Sequence, residues 1–361
     1  MEAATELTVK LIAFYLPQFH PIPENDLWWG KGFTDWINVV RARPSFVGHY
    51  QPHFPADLGF YDLRLEEARM AQANLAREYG IHGFCYYHYW FNGKRLLDRP
   101  FQEVLSSGRP DFPFCLCWAN ENWTRRWDGR EADVLMAQHC SLQDARDFMV
   151  GLFRAFEDPR YIRIYDRPLL LVYRVDIIPD IREIVQVWRH ACCTSGVGNP
   201  YLCLVESFGN FGKDPASIGF DAAVEFPPHN QGWPYEGRLR MLGHDFCGEI
   251  FDWREAKRHL LERALPSHTL FRTVMPMWDN TARNQRAAHI YYGSSPEAYG
   301  GWLHEAIRQT KNLRRREERL VFINAWNEWA EGNHLEPDLA HGHAYLEATR
   351  NALEEKWHDV P

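Results

Sequence analysis

The sequence predicts a single (β/α)8 TIM barrel with long strand-to-helix loops. Eight short runs of aliphatic, β-branched and aromatic residues recur along the 361 residues, and segments of helical period separate most of them. Strands that alternate with helices form parallel sheets. Eight such units fit a barrel, which takes about 250 residues and tolerates large loop insertions. An open, doubly wound sheet is the alternative.

The elements follow one another in a regular order. No G-x-G-x-x-G motif follows the first strand, which argues against a nucleotide-binding fold. The sequence shows no repeats or long linkers, which predicts one domain over residues 1–361. The strands are predicted near Lys10–Leu16, His82–Tyr89, Phe112–Ala119, Pro168–Arg174, Tyr201–Glu206, Ala222–Phe226, Phe271–Met277 and Leu320–Ala325. The helices are predicted over Leu63–Tyr79, Leu142–Phe156, Ile181–Cys193, Trp253–Ala264 and Pro296–Thr310.

Composition and charge narrow the class of protein. A hydrophobic fraction of 45% and abundant aromatic residues (15 Trp, 16 Tyr and 22 Phe) exclude a disordered chain. The net charge of -8 gives no attraction to nucleic acid, so no nucleic-acid partner is expected. No apolar run reaches the roughly 20 residues that span a bilayer, and no signal peptide precedes the first strand. Eight cysteines without a C-x-x-C pair favour a reducing, cytoplasmic compartment.

In a barrel the active site lies at the carboxyl ends of the strands, so the residues that follow each strand are the candidates. Most of them are aromatic, amide or carboxylate side chains. Aromatic rings pack on the C–H faces of sugars and polar side chains bond to sugar hydroxyls, so this set favours an oligosaccharide or polysaccharide as the ligand. The candidates for substrate binding are His20, Asp35, Trp36, Tyr87, His88, Trp118, Asn120, Glu121, Trp123, Glu206, Trp278, Asn280, Trp326 and Asn327.

Glu328 and Glu331, after the eighth strand, are the predicted catalytic residues. If the strand passes into a helical turn, residues three apart share one face. Two carboxyls in close reach repel each other when both are ionised, so one pKa should rise, which gives one acid and one base near neutral pH. Away from a strand end, the same spacing is typical of an ordinary surface pair on a helix.

Some of these residues have competing interpretations. Glu121 is either an acid of the site or a carboxylate held by Arg125 or Arg126, and Glu206 is either a site residue or a loop-packing acid. The histidines include His341 and His343, two residues apart. Without a clustered set of ligands near them, neither a metal site nor a cofactor is predicted.

Several segments resemble the WbsX-like family. That family is related to glycoside hydrolase family 99, the endo-α-mannosidases, and its name derives from O-antigen gene clusters, where members were labelled glycosyltransferases. The likeness runs from about residue 10 to about residue 350. The segments that carry it are Phe14–His20, Gly32–Trp36, Gly83–Trp90, Trp118–Trp123 and Asn324–Glu331.

The resemblance implies one catalytic barrel in which Glu328 removes the proton from a sugar 2-hydroxyl and Glu331 acts as acid and then as base. The configuration would be retained through a 1,2-anhydro sugar, whereas in the usual retaining scheme a carboxylate attacks C1. Ala330 stands where the hydrolases commonly carry a histidine, so the leaving-group side is expected to differ. In Trp278–Arg283, which also looks like a WbsX-like motif, Ala282 replaces an expected proline.

Three functions follow from this resemblance and from the residues. The first is a retaining glycoside hydrolase of endo-α-mannosidase type, acting on α-linked, mannose-like glycans or on bacterial surface polysaccharide. The second is a glycosyltransferase of O-antigen or other surface-polysaccharide biosynthesis. The third is a non-catalytic carbohydrate-binding barrel.

Overall fold

The computed structural model describes residues 9–125, 130–243 and 245–355. Eight parallel strands follow one another around a ring, and the first strand pairs with both the second and the eighth, so the sheet closes into a barrel. The predicted (β/α)8 fold is thus confirmed. The strands are β1 Lys10–Tyr15, β2 Ile81–Phe91, β3 Phe114–Trp118, β4 Arg167–Val172, β5 Tyr201–Val205, β6 Ala222–Val224, β7 Leu270–Val274 and β8 Leu320–Ile323.

α-Helices occupy the connections between the strands, except that the connection from β5 to β6 contains only the short 3-10 helices Phe208–Asn210 and Pro215–Ile218, and a further α-helix follows β8. The longer ones present apolar faces to the barrel, as predicted from their sequence period. None of the helices in the described ranges combines the length and apolar character needed to cross a bilayer. The helices are α1 Pro23–Trp29, α2 Trp36–Arg41, α3 Glu66–Glu78, α4 Arg99–Ser107, α5 Leu142–Gly151, α6 Phe153–Phe156, α7 Ile181–Ser195, α8 Trp253–Glu262, α9 Pro296–Leu313 and α10 Ala344–Leu353.

The loops at the carboxyl ends of the strands carry small β-structures of their own. These pairs are antiparallel, apart from the parallel pairing of Glu249–Asp252 with His289–Tyr292. They give the long loops a hydrogen-bonded framework above the barrel. The short strands there are Lys94–Leu96, Trp123–Arg125, Arg130–Met136, Glu249–Asp252, Trp278–Asp279, His289–Tyr292, Asn327–Glu328 and Asn333–His334.

One helix prediction differs from the structure. A single helix was expected over Leu142–Phe156, but the chain forms α5 and α6 with a break at Leu152. Gly151 is a weak helix former, and its carbonyl oxygen accepts a hydrogen bond from the Arg95 guanidinium at 2.8 Å. A carbonyl engaged from outside the helix does not continue the helical ladder, so α5 ends there.

The aromatic excess is divided between the core and the carboxyl end of the barrel. Trp188, Trp253 and Trp302 are fully buried on α7, α8 and α9. Trp118 and Trp326 are also fully buried, although both lie at strand ends. A position at a strand end therefore does not by itself bring a tryptophan to the surface of a site.

Candidate active site

A cavity of about 780 Å³ opens at the carboxyl ends of the barrel strands. Side chains from, or directly after, each of the eight strands reach its wall, because all strands of a parallel barrel end on the same side. Its volume falls in the roughly 300–1,000 Å³ range of small-molecule sites. Much of the wall is aromatic, and the tryptophans that line it are Trp28, Trp29, Trp123 and Trp278.

The turn after β8 brings Glu328 and Glu331 to this cavity. Asn327–Glu328 pairs with Asn333–His334 as a short hairpin, and Trp329–Glu331 between them forms one turn of 3-10 helix. The helical turn expected from the E-x-x-E spacing is present. Both carboxylates therefore point to one side of the turn, and both line the cavity.

The turn is held tightly against the loop after β7. Gly332 ends it with a φ of 54°, a left-handed conformation that glycine adopts at low cost. A Cβ atom on Gly332 would lie 2.8 Å from the carbonyl oxygen of Asp279. The Asp279 carboxylate in turn accepts hydrogen bonds from His49 Nε2 and Gln51 Nε2, both at 2.6 Å. These contacts fix the position of the turn from behind.

One arginine contacts three carboxylates at the edge of the cavity. Arg283 Nη1 lies 2.5 Å from Glu331 Oε1, and its Nη2 lies 2.8 Å from Glu328 Oε1. The same Nη2 lies 2.7 Å from Asp35 Oδ2. The Arg283 side chain is only 14% exposed, so this group of four charges is largely removed from water. It holds the two glutamates in a fixed mutual geometry.

Burial changes the protonation of this group. It raises the pKa of Glu328 to about 8, even though the positive charge of Arg283 acts in the opposite direction. The negative charges of Glu331 and Asp35 raise it further. One proton is thus retained near neutral pH in a site where two glutamates lie one helical turn apart, as the sequence spacing predicted.

A side-chain amide connects the turn to β1. Asn327 Oδ1 accepts a hydrogen bond from the Leu16 backbone N–H at 2.7 Å, and Asn327 Nδ2 donates to the Leu16 carbonyl at 3.0 Å. Asn327 is fully buried and does not line the cavity. Its structural role is to hold the turn in register with the end of β1.

A buried carboxyl supports the turn from below. Glu336 accepts hydrogen bonds from Trp329 Nε1 at 2.6 Å, Gln72 Nε2 at 2.6 Å and the Tyr61 hydroxyl at 2.8 Å. Burial raises the pKa of Glu336 to about 7. The Trp329 ring between the two glutamates is therefore anchored by its indole nitrogen and faces away from the cavity.

The structure brings about half of the predicted residues together at the cavity. Along β2 the side chains of Tyr87 and Tyr89 reach the wall, and Gln18 Nε2 donates to the Tyr89 hydroxyl at 3.0 Å. Asp35 is one contact behind the wall, through Arg283. The predicted residues that line the cavity are Tyr87, Glu121, Trp123, Trp278, Asn280, Glu328 and Glu331.

Other predicted residues are buried away from the cavity. His88 lies between Tyr87 and Tyr89 on β2, so the alternation of a strand turns it to the opposite face. Trp118 likewise packs on Phe148, with ring centroids 4.4 Å apart. The predicted residues that do not line the cavity are His20, Asp35, Trp36, His88, Trp118, Asn120, Glu206, Trp326 and Asn327.

Three of these residues hold loops in place through hydrogen bonds or an ion pair. Asn120 exchanges two hydrogen bonds of 2.8 Å with the backbone of Arg174, which joins the ends of β3 and β4. Glu206 forms a 2.6 Å ion pair with Arg263, so the loop-packing interpretation describes its contacts. Trp36 donates to the Tyr61 carbonyl at 2.9 Å.

Glu121 lines the cavity. Its carboxylate contacts an arginine, but the arginine in this contact is Arg174, whereas Arg125 or Arg126 was expected. Its Oε1 lies 3.1 Å from Arg174 Nη1. The side chains of Arg125 and Arg126 lie outside the described residues. Glu121 is therefore a carboxylate whose charge is partly compensated on the side of the cavity formed by β3 and β4.

Several residues of the site were not predicted as such. Arg283 contacts Asp35, which is 248 residues away in the chain, and no local sequence pattern indicates this contact. The hydroxyl of Tyr173 lies 2.9 Å from His229 Nε2, on the part of the wall that follows β4 and β6. Arg283 was included only in the segment Trp278–Arg283 that resembles a WbsX-like motif, which assigned it no role.

A group of metal-ligand type lies behind the turn, where none was predicted. His53, His334 and Asp338 have donor atoms within 4.8 Å of one another, and all three are buried. His53 is 281 residues from His334 in sequence. The spacing of residues along the chain therefore does not reveal that His53 joins the other two.

Solved structures of other proteins have a similar fold. The chain has the fold of the GH99 endo-alpha-mannosidase from Bacteroides thetaiotaomicron, with a TM-score of 0.59, 13% identity and 96% of each chain covered. A structure described as a glycoside hydrolase-like protein matches with a TM-score of 0.61 and 12% identity, over 96% of this chain and 94% of that one. At these identities the likeness concerns the fold.

The family is shown by sequence. The chain belongs to the family described as Glycosyltransferase WbsX, whose model matches residues 11–349, so the resemblance noted in the motifs is confirmed. An uncharacterized protein WxcX from Xanthomonas campestris pv. campestris strain B100 is 50% identical over 348 residues, and the protein of the same name from strain ATCC 33913 is 49% identical. The chain spans about half the length of these curated relatives.

Proposed function

We propose that this chain is a retaining glycoside hydrolase that acts on α-linked, mannose-like glycans or on bacterial surface polysaccharide. The observation that carries the proposal is the placement of Glu328 and Glu331, one helical turn apart on a shared arginine, in a cavity lined with tryptophans. Carboxyl pairs are the groups with which glycosidases work. Residues 1–361 are proposed as one catalytic barrel, and the free cysteines favour a reducing, cytoplasmic location.

In the first half of the proposed reaction, Glu328 takes the proton from the 2-hydroxyl of the sugar. The resulting oxygen attacks C1 and forms a 1,2-anhydro sugar, while the bond from C1 to the leaving oxygen breaks. Glu331 gives its proton to that oxygen. Because burial raises the pKa of Glu328 to about 8, its carboxylate is a stronger base than an ordinary glutamate and is better matched to a hydroxyl proton.

In the second half, Glu331 removes a proton from water as the water oxygen attacks C1. The C1–O2 bond of the anhydro sugar breaks, and O2 regains its proton from Glu328. Both carboxyls return to their starting states, and two inversions at C1 give net retention. Arg283 keeps the two carboxylates on one side of the sugar without taking part in proton transfer.

The proposed role of Glu328 predicts a pH dependence. Since the reaction needs one ionised and one protonated carboxyl, kcat/KM of the wild type is expected to fall as pH increases through about 8, where the pair loses its last proton. In Glu331→Gln, assayed with a substrate that has a good leaving group, kcat/KM should instead rise with pH and level off, because only the ionised Glu328 is then required. The rise should lie below pH 8, because the charge of Glu331 contributes to raising the pKa of Glu328. A kcat/KM of this variant that falls as pH increases would assign Glu328 the role of the acid.

Family membership favours a second candidate, a glycosyltransferase of surface-polysaccharide assembly. The family is described by that activity. A transferase would need an activated donor sugar. The Arg283 guanidinium in the cavity contacts three carboxylates, which makes it a poor cradle for a diphosphate.

A digest of a glycan library, with NMR of the first-formed anomer, tests the proposal. A released sugar that keeps its anomeric configuration is expected, and an inverted product would reject the anhydro-sugar route. Calorimetry with nucleotide sugars forms the second arm, in which specific binding without hydrolysis of any glycan would favour the transferase. Sugar binding without a product in either arm would favour a non-catalytic barrel.

A further inference from the structure

Behind the turn that carries Glu328 and Glu331, two histidines and an aspartate form a buried cluster. His53 comes from the long loop after β1, and His334 and Asp338 follow β8. Their side chains are 4%, 1% and 2% exposed. The three residues are absent from the wall of the cavity, so the cluster is separate from the proposed active site.

The hydrogen bonds of the two imidazoles leave their facing nitrogens without protons. His53 Nε2 lies 3.0 Å from the Tyr50 carbonyl, and His334 Nδ1 lies 2.9 Å from the Glu336 carbonyl. A carbonyl oxygen only accepts, so each of these nitrogens carries the ring hydrogen of a neutral imidazole. The remaining nitrogens, His53 Nδ1 and His334 Nε2, then present lone pairs to each other at 2.9 Å.

Two facing lone pairs at this distance repel each other, and a cation between them removes the repulsion. A metal ion satisfies both nitrogens with the tautomers already in place. Imidazoles that ligate metals in proteins usually donate their other N–H to a backbone carbonyl or carboxylate, and both histidines do so here.

The aspartate completes the donor set. Asp338 Oδ1 accepts hydrogen bonds from the backbone N–H groups of Ala340 at 2.9 Å and His341 at 2.6 Å. These bonds leave Oδ2 directed towards the histidines, 3.8 Å from His334 Nε2. Oδ2 is also 3.2 Å from His341 Nδ1, a further nitrogen at the half-buried edge of the cluster.

We propose that His53, His334 and Asp338 bind one Zn²⁺ ion in a structural site. Two imidazoles and a carboxylate are ligands that zinc accepts in tetrahedral geometry, with His341 or a water in the fourth position. Two nitrogens at about 2.05 Å from a tetrahedral zinc are roughly 3.3 Å apart. The observed 2.9 Å separation reaches that value with a shift of a few tenths of an ångström.

The ion would fasten the loop after β1 to the hairpin after β8. The His334 ring stacks on the Trp329 ring, with centroids 3.8 Å apart and planes at 16°. Trp329 stands between the two proposed catalytic glutamates in the sequence. Bound zinc would therefore stiffen the support of the turn without touching the sugar, and its effect is on folding stability.

Zinc binding by the full chain, purified without a histidine tag and treated with EDTA, tests this inference. Titration calorimetry with ZnCl₂ is expected to show one equivalent per chain, and the melting temperature is expected to rise when zinc is restored, because the ion binds the folded state. Co²⁺ in place of zinc should give the absorption bands of a tetrahedral site with nitrogen ligands. A wild-type chain that takes up neither ion would overturn the proposal.

Variants identify the ligands. His53→Asn and Asp338→Asn are each expected to weaken zinc binding by about 100-fold or more, while circular dichroism reports whether they fold. His190→Asn on the exposed face of α7 is the control and should keep the full affinity. Zinc binding that survives both ligand changes would also reject the site. If either variant fails to fold, the Co²⁺ spectrum of the wild-type chain decides.

Discussion

Replacing Glu331 or Glu328 by glutamine is expected to reduce turnover of an α-mannoside by roughly 10²–10⁴-fold, the usual contribution of a group that transfers a proton. Glutamine keeps the size of the side chain and one acceptor oxygen, so the contact with Arg283 is weakened but not lost. Binding of an oligosaccharide, measured by calorimetry, should stay within a few-fold of wild type. The effect is thus expected in kcat.

The choice of leaving group in the substrate distinguishes the proposed role of Glu331 from that of Glu328. With an aryl leaving group that departs without protonation, Glu331→Gln should recover much of its activity in the first step, whereas Glu328→Gln should remain slow, because its proton transfer comes from the 2-hydroxyl. Glu305→Gln, in an exposed pair with Arg308 on α9, is the matched control and should leave kcat unchanged. Near wild-type turnover in both site variants would remove the basis of the proposed function.

The second large effect is expected for Arg283→Met, on stability. The change removes the cation that contacts Asp35, Glu328 and Glu331 and leaves their charges uncompensated in a buried place. Breaking such a group costs roughly 3–5 kcal/mol. Chemical unfolding at pH 8 should therefore show a large loss of the free energy of unfolding.

The loss should depend on pH in a definite direction. Without Arg283 the carboxyls have folded-state pKa values above their unfolded ones, so the cost is greatest at high pH and disappears as pH falls below the ordinary value of about 4.5. Arg308→Met, which breaks an exposed pair with Glu305, should cost no more than about 1 kcal/mol at either pH. Equal losses for Arg283→Met at pH 5 and pH 8 would contradict the charge argument.

The parts of the fold that depend on local pattern were predictable. All eight barrel strands are apolar runs bounded by polar or turn residues, and a buried parallel strand requires such a run. The E-x-x-E spacing likewise predicted the turn at Glu328 and Glu331, because three residues form one turn whichever helix type is used. The break in the helix at Gly151 depends on Arg95, which is remote in the sequence, and it was not predictable.

The parts of the site that depend on side-chain direction or on contacts between distant residues were not predictable from the sequence. His88 was selected with Tyr87 because both are polar residues near the end of β2, but adjacent residues of a strand face opposite sides. Without the end and phase of the strand, the sequence does not say which of the two reaches the cavity. Arg283 and the His53 cluster depend on contacts across the barrel, for which a single sequence carries no local signal.

Asn327 fixes the position of the turn that carries Glu328 and Glu331, and it does so independently of the loops around that turn. Its amide bonds to both backbone groups of Leu16, as a neighbouring strand would, although β8 itself ends four residues earlier at Ile323. The position of Glu328 is thus set by the barrel, through the bonds of Asn327 to the end of β1. A change of sequence in the loops that shape the rest of the cavity is therefore expected to leave the Glu328 carboxylate in place.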